Sequence, residues 1–150
     1  MNQSAAEHRD RVWRAFFEGK DWDENDEFKL KRELVLRSRE LLPEFPHLID
    51  DEWEKVPGQT NNGRGDLVFT DGAGRYAVVE VKFIDVARTG KTARTTRNDR
   101  RGKVWEQARK YAVDLVGRYA DMKLVRAFVY TNELPGAPVV VEPDVVVDDT

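Results

Sequence analysis

The stretch "RGDLVFTDGAGRYAVVEVKF", residues 64–83, predicts a β-hairpin. Residues 67–70 and 76–84 are rich in β-branched and aromatic side chains, and the sequence DGAG between them is typical of a tight turn. The hairpin also carries Asp66, Glu80 and Lys82, although a sheet accommodates charges only at an open end or beside a partner. The relative placement of these three charges is therefore central to both fold and chemistry.

The length of the hairpin loop sets which face each charge lies on. Glu80 and Lys82 share a face because side chains alternate along a strand. A three-residue loop, 72–74, places Asp66 directly opposite Glu80, whereas a two-residue loop would put the two carboxylates on opposite faces. We predict the three-residue loop, since such loops need a left-handed residue at their last position and Gly74 supplies it.

Helices and further strands surround the hairpin. The apolar spacing predicts helices over residues 7–17, from Asp26 to Pro43, and over residues 104–120. We expect the third helix to bury Trp105, Ala108, Ala112, Leu115, Val116 and Tyr119. Residues 123–132 predict a strand. Residues 136–150 predict an edge strand that frays into a tail over 142–150. Residues 47–58 stay ambiguous, although EWEKV alternates enough to form a short strand. The order predicts an α/β domain with a mixed central sheet flanked by helices.

Composition limits the classes of function. The 150 residues fit one domain, 1–150, that is 40% hydrophobic and 35% charged, with no apolar run long enough for a membrane span. The absence of a secretory pattern at the start predicts an intracellular protein of the cytoplasm or nucleus, neither secreted nor membrane-bound. Zero cysteines exclude disulfides and thiolate sites, and two histidines disfavour a multi-histidine metal site. Carboxylates and a lysine are left to carry any chemistry.

Two carboxylates opposed across a strand ladder repel each other, so a fold keeps them together only with a cation. Oxygen ligands without cysteine favour Mg²⁺ or Mn²⁺ over zinc. Lys82 could then orient or deprotonate a bound water, or stabilise charge developing on a phosphate. The alternative is that all three charges are solvated strand residues without a shared role.

The pattern GRGDLVF…VVEVKF, an Asp followed on the next strand by Glu-x-Lys, resembles the PD-(D/E)xK nuclease superfamily. The resemblance covers about residues 27–131 and implies a restriction-endonuclease-like αβββαβ core, to which this chain adds an N-terminal helix. It implies that Asp66, Glu80 and the Val81 backbone carbonyl bind the catalytic metal and that Lys82 assists the attacking water. Gly65 stands where many members have proline.

Two residues of the next helix add to the resemblance. Gln107 and Tyr111 are four residues apart and so lie on one helix face. This spacing resembles the extra motif of the RecB-type exonuclease branch, which implies that both residues lie beside the metal and contact substrate phosphate or position catalytic groups. The alternative is a tyrosine at the core boundary with a neighbouring amide.

The family often takes a further acidic ligand from its first helix. At about 100° per residue, Glu27 lies on the same side of this helix as Leu34 and Leu41, whereas Glu33 lies well off that side. Glu27 is therefore the predicted further metal ligand, with Glu33 as second choice. The alternative is that both are surface charges favoured near a helix N-terminus.

Residues 85–103 predict an exposed basic loop, because they contain almost no apolar side chains. In an otherwise acidic chain of net charge −3, this cluster beside the proposed site predicts contact with a phosphate backbone rather than stacking on bases. The predicted contacts are Arg88, Lys91, Arg94, Arg97, Arg100, Arg101 and Lys103. The alternative is a solubilising loop or a basic targeting patch.

These features predict a Mg²⁺-dependent nuclease that hydrolyses DNA, in preference to RNA, through a metal-activated water, with endo- or exonucleolytic cleavage left open. A second hypothesis is a non-catalytic nucleic-acid-binding or assembly module with the same fold. A third is an interaction domain that binds a partner through its acidic N-terminal half or its valine-rich tail. By analogy with small members of the superfamily, we also expect a homodimer or a partner protein.

Overall fold

The structure is a computed structural model that describes residues 1–19, 26–51, 66–84, 91–133 and 136–147; at position 66 and positions 91–101 it describes secondary structure but not side chains. Three helices and five strands lie within these residues. In chain order they are α1 (Gln3–Gly19), α2 (Asp26–Leu41), β1 (His47–Asp51), β2 (Asp66–Thr70), β3 (Arg75–Lys82), α3 (Lys91–Leu115), β4 (Leu124–Thr131) and β5 (Val139–Val146).

The strands form one mixed sheet in the order β1-β2-β3-β4-β5. The β3–β4 pair is parallel and the other three pairs are antiparallel. The α/β class and the mixed sheet are therefore confirmed, as is the edge strand near the end of the chain. That strand continues to Val146, so residues 142–146 belong to β5 rather than to a tail.

Helices cover both faces of the sheet, which explains the valine-rich central strands. Alternate β3 residues divide between two apolar clusters: Ala77 and Val79 pack with α1 and α2, whereas Tyr76 and Val78 pack with α3. Because side chains alternate, Glu80 lies on the α3 side of the sheet, near the end of its strand.

The hairpin has the predicted register. Asp66 pairs directly with Glu80, and the three-residue loop is closed by a hydrogen bond in which the Asp71 amide donates to the Arg75 carbonyl at 3.2 Å. Gly74, the last loop residue, has a φ of 98°, the left-handed conformation that the three-residue loop requires. The loop therefore holds the two acidic positions opposite each other.

Substituting the loop glycine tests how tightly this register is held. Gly74 and Gly117 both have positive φ, but an alanine Cβ at Gly74 would approach the Asp121 carbonyl oxygen to 2.8 Å, whereas nothing lies within 4 Å at Gly117. We expect Gly117→Ala to cost about 1 kcal/mol of unfolding free energy and Gly74→Ala about 2–4 kcal/mol, measured by urea denaturation. Equal losses would contradict the close approach at the turn.

The basic segment was predicted wrongly as a loop over residues 85–103. From Lys91 onward it is helix, continuous with the part of α3 that packs on the sheet. Arginine, lysine and alanine have high helix propensity, and extending a docked helix costs far less than nucleating a new one. Residues 85–90, including Arg88, lie outside the described residues.

The buried face of α3 also differs from the prediction. Val104 is 2% exposed and packs on the sheet with Ala108 and Ala112, whereas Trp105 is 41% exposed. The helix ends at Leu115 rather than at residue 120, so Val116 falls outside it. The buried row is thus shifted by one residue at its start.

The ambiguous segment after α2 contributes the edge strand β1 at His47–Asp51, and residues 52–56, where EWEKV was a candidate strand, lie outside the described residues. Among the described helices, none carries an apolar stretch of the length that a bilayer crossing requires.

Candidate active site

The hairpin presents a buried carboxylate. The Glu80 side chain is 5% exposed, and its Oε2 atom has no hydrogen-bond partner among the described residues. Asp66 is its direct partner across the antiparallel ladder, where facing Cβ atoms are typically about 4.5–5.5 Å apart. Two acidic residues are therefore attached at adjacent points on one face of the sheet.

The surroundings of Glu80 oppose its ionisation. Burial, and then the Glu27 carboxylate, raise the pKa of Glu80 to about 7, although the nearby ammonium groups of Lys82 and Lys31 lower it. A carboxylate in this position is costly to keep charged unless a further cation approaches it. The Glu80 carboxyl group therefore holds its proton up to about neutral pH.

The first turn of α2 brings a second carboxylate to the hairpin. The Glu27 Oε1 atom lies 3.6 Å from the Lys82 Nζ atom. Glu33 instead lies on the exposed side of the helix, with its Oε1 atom 3.4 Å from Arg37. The structure thus brings Glu27 to the hairpin charges and leaves Glu33 away from them; metal binding by Glu27 stays a prediction.

These elements enclose a pocket of about 450 Å³ between the start of α2, the end of β3 and α3. It is lined by Asp26, Glu27, Lys82, Phe83, Lys103, Val104 and Gln107. Of the predicted Gln107–Tyr111 pair, Gln107 lines the pocket, whereas Tyr111 is half-buried against the apolar cluster on the α3 side of the sheet. The hairpin lysine, the α2 carboxylate and the α3 amide therefore share one pocket.

A buried ion pair that sequence reasoning missed lies next to this site. The Lys31 Nζ atom is 2.5 Å from Asp51 Oδ1, and the two side chains are 2% and 0% exposed. Lys31 follows Glu27 by one helical turn, and Asp51 ends β1 opposite Leu67, the residue after Asp66. A signal existed in the sequence, because Lys31 falls within the apolar row of α2, where a lysine needs a buried partner.

Six of the seven predicted cationic contacts lie on α3, and the seventh, Arg88, lies outside the described residues. Lys91, Arg94, Arg97, Arg100 and Arg101 belong to the amino-terminal half of α3, in which only the backbone path is described. Lys103 is exposed and lines the pocket. One of the seven predicted contacts is therefore placed at the pocket by its side chain.

The donor set fits a hard divalent cation, since Glu80 offers an unpartnered buried oxygen and the Glu27 carboxylate is near enough to raise the pKa of Glu80. Glu27 also lines the pocket that Lys82 lines. Val81, whose carbonyl was a predicted ligand, lies between Glu80 and Lys82 and pairs with Tyr130 of β4. Among the described residues no group of three or more acidic, histidine or cysteine side chains could hold a metal ion, and the Asp66 side chain is not among those described.

Comparisons of the chain with protein-family models, with curated proteins and with solved structures gave no match in any of the three.

Proposed function

We propose that the protein is a metal-dependent nuclease that hydrolyses phosphodiester bonds of DNA. The observation that carries this proposal is the buried Glu80 carboxylate, with an unpartnered oxygen, directly opposite Asp66 on a hairpin that ends in Lys82. A fold has no structural use for two opposed carboxylates at this position, whereas a hard divalent cation pairs with both.

The order of elements gives separate support. From α2 to β4 the chain runs helix, three strands, helix, strand, which is the αβββαβ order of the restriction-endonuclease-like core. The Asp and the Glu-x-Lys motif fall on the second and third strands of that order, and Gln107 lies on the helix that follows. The motif residues therefore lie on the elements where the restriction-endonuclease-like core carries them, and we propose this fold for the chain.

Each site residue has a separate role in the proposed reaction. Asp66, Glu80, the Val81 carbonyl and Glu27 would hold Mg²⁺ or Mn²⁺, which when bound acts as a Lewis acid and lowers the pKa of a coordinated water. Lys82, whose ammonium group lies within 3.6 Å of Glu27, donates hydrogen bonds to the attacking water or to a phosphate oxygen. The Gln107 amide lines the same pocket and can donate to a second phosphate oxygen.

The test is cleavage of labelled single-stranded, double-stranded and branched DNA in Mg²⁺, Mn²⁺ or EDTA. We expect cleavage in either metal but not in EDTA, and losses of about 10²- to 10³-fold for Asp66→Ala and Lys82→Ala, because each removes a group that stabilises the transition state.

A matched pair on α2 provides the control. Glu27→Ala should reduce cleavage, whereas Glu33→Ala, which removes a carboxylate from the exposed side of the same helix, should leave it unchanged. Cleavage that survives in both Asp66→Ala and Lys82→Ala would reject the site. Tight binding of DNA without cleavage by the wild type would favour the non-catalytic nucleic-acid-binding module instead.

A further inference from the structure

Residues 91–103 lie on a helix rather than in a loop, so helical geometry relates each position along the segment to the others. A helix rises about 1.5 Å per residue, so these residues extend about 18 Å from the part of α3 that packs on the sheet. Lys103, the last residue of this segment, and Gln107, one helical turn later, line the pocket. The charged half of α3 is thus a continuation of one wall of that pocket.

Helical geometry separates the cationic positions into two groups. Successive residues turn by about 100°. Relative to Gln107, position 103 lies about 40° away and position 100 about 20° away, so these three positions form one row along the helix. Positions 91 and 94 lie about 160° and 140° away from Gln107, on the opposite side. The cationic positions of this segment therefore divide between the helix face that carries Gln107 and the opposite face.

The two walls of the pocket have opposite electrostatic effects on a phosphate group. The α2 wall carries Asp26 and Glu27, which repel phosphate, and the α3 wall carries Lys103 and Gln107, which attract it. Arg100 and Gln107 are seven residues apart, about 10 Å along the helix, which matches roughly three nucleotides of one DNA strand. A strand that leaves the pocket would therefore follow α3 and avoid α2.

We propose that Arg100, Lys103 and Gln107 form a phosphate-contact row that guides one strand of DNA along α3, whereas Lys91 and Arg94 make no direct contact. This inference rests on the proposed function, since it takes the pocket as the place where a phosphodiester bond is cleaved. It also narrows the seven cationic contacts expected from the sequence to those on the pocket side of the helix.

The test compares two double variants of equal charge change. Binding of a labelled single-stranded oligonucleotide is measured by fluorescence anisotropy in EDTA over a range of salt concentrations. Arg100→Ala/Lys103→Ala should make the slope of log K against log[salt] shallower by about 1.4, because each lost phosphate contact removes about 0.7 for single strands. Lys91→Ala/Arg94→Ala should change the slope by less than half as much. Arg100→Lys/Lys103→Arg, which keeps both charges, should restore most of the wild-type slope.

The binding and cleavage assays test the phosphate-contact row and the proposed nuclease function independently. Equal changes from the two double variants, or a larger change from the variant at positions 91 and 94, would overturn the row, even if the wild type cleaves DNA. If the two alanine double variants differ in salt slope as expected but the wild type cleaves no DNA in Mg²⁺ or Mn²⁺, the phosphate-contact row is supported and the nuclease is rejected. Melting curves of all three double variants establish that they are folded at the temperature of the assay.

Discussion

Replacing Lys31 with methionine is expected to lower the free energy of unfolding by about 3–5 kcal/mol. The substitution keeps most of the aliphatic volume but removes the ammonium group that lies 2.5 Å from the fully buried Asp51 carboxylate. Removing one partner of a buried pair leaves a charge in a medium that solvates it poorly, and this penalty exceeds the net stability of the pair itself. Urea denaturation monitored by circular dichroism measures the loss.

A double-mutant cycle isolates the pair from the packing around it. Asp51→Asn together with Lys31→Met should recover most of the stability lost in Lys31→Met, so the coupling energy should exceed about 2 kcal/mol. The Glu33–Arg37 pair on the exposed side of α2 is the control, and its coupling should be small because solvent screens it. A Lys31→Met variant as stable as the wild type would mean that Asp51 is not buried as described.

Glu80→Gln is expected to stabilise the metal-free protein at pH 8, by about 3 kcal/mol. Burial and the Glu27 carboxylate raise the pKa of Glu80 to about 7 in the folded protein, from the ordinary glutamate value of 4.5. The folded state therefore holds this proton more tightly than the unfolded chain does. Its stabilising contribution is complete below about pH 4.5 and disappears as the pH rises through about 7.

The raised pKa of Glu80 determines how the stability difference between Glu80→Gln and the wild type changes with pH. At pH 4 wild-type Glu80 is already neutral, so Glu80→Gln should be about as stable as the wild type, and its advantage should grow between pH 4.5 and 7. Glu33→Gln, on the exposed side of α2, should show no such growth. Thermal melts of the three proteins in EDTA at intervals of half a pH unit provide the measurement.

The hairpin register could be predicted from the sequence because local chemistry determines it. Gly74 supplies the left-handed residue of a three-residue loop, and that loop length alone sets Asp66 opposite Glu80. Helical phase selected Glu27 over Glu33, and Glu27 does lie 3.6 Å from Lys82, whereas the expectation that the first helix reaches the hairpin came from the family resemblance.

The extent of α3 could not be predicted, because its first half has no apolar row. That half is helical because it continues the docked half, whose buried residues lie many positions later. In the docked half, Ala108, Ala112 and Leu115 are buried as predicted, but Trp105 was assigned to the buried face although Val104 is the residue that the sheet buries. The Lys31–Asp51 pair depends on a contact between α2 and the edge strand β1, which no local pattern contains.

Glu80→Gln, assayed at pH 8 for both stability and cleavage, tests most directly the claim that the buried hairpin carboxylate serves a metal-dependent reaction rather than the fold. A residue kept for chemistry at the expense of stability should show opposite changes in the two properties. We predict an unfolding free energy higher by about 3 kcal/mol in EDTA, together with loss of Mg²⁺-dependent DNA cleavage. A variant that is less stable than the wild type, or that cleaves DNA at the wild-type rate, would contradict the account.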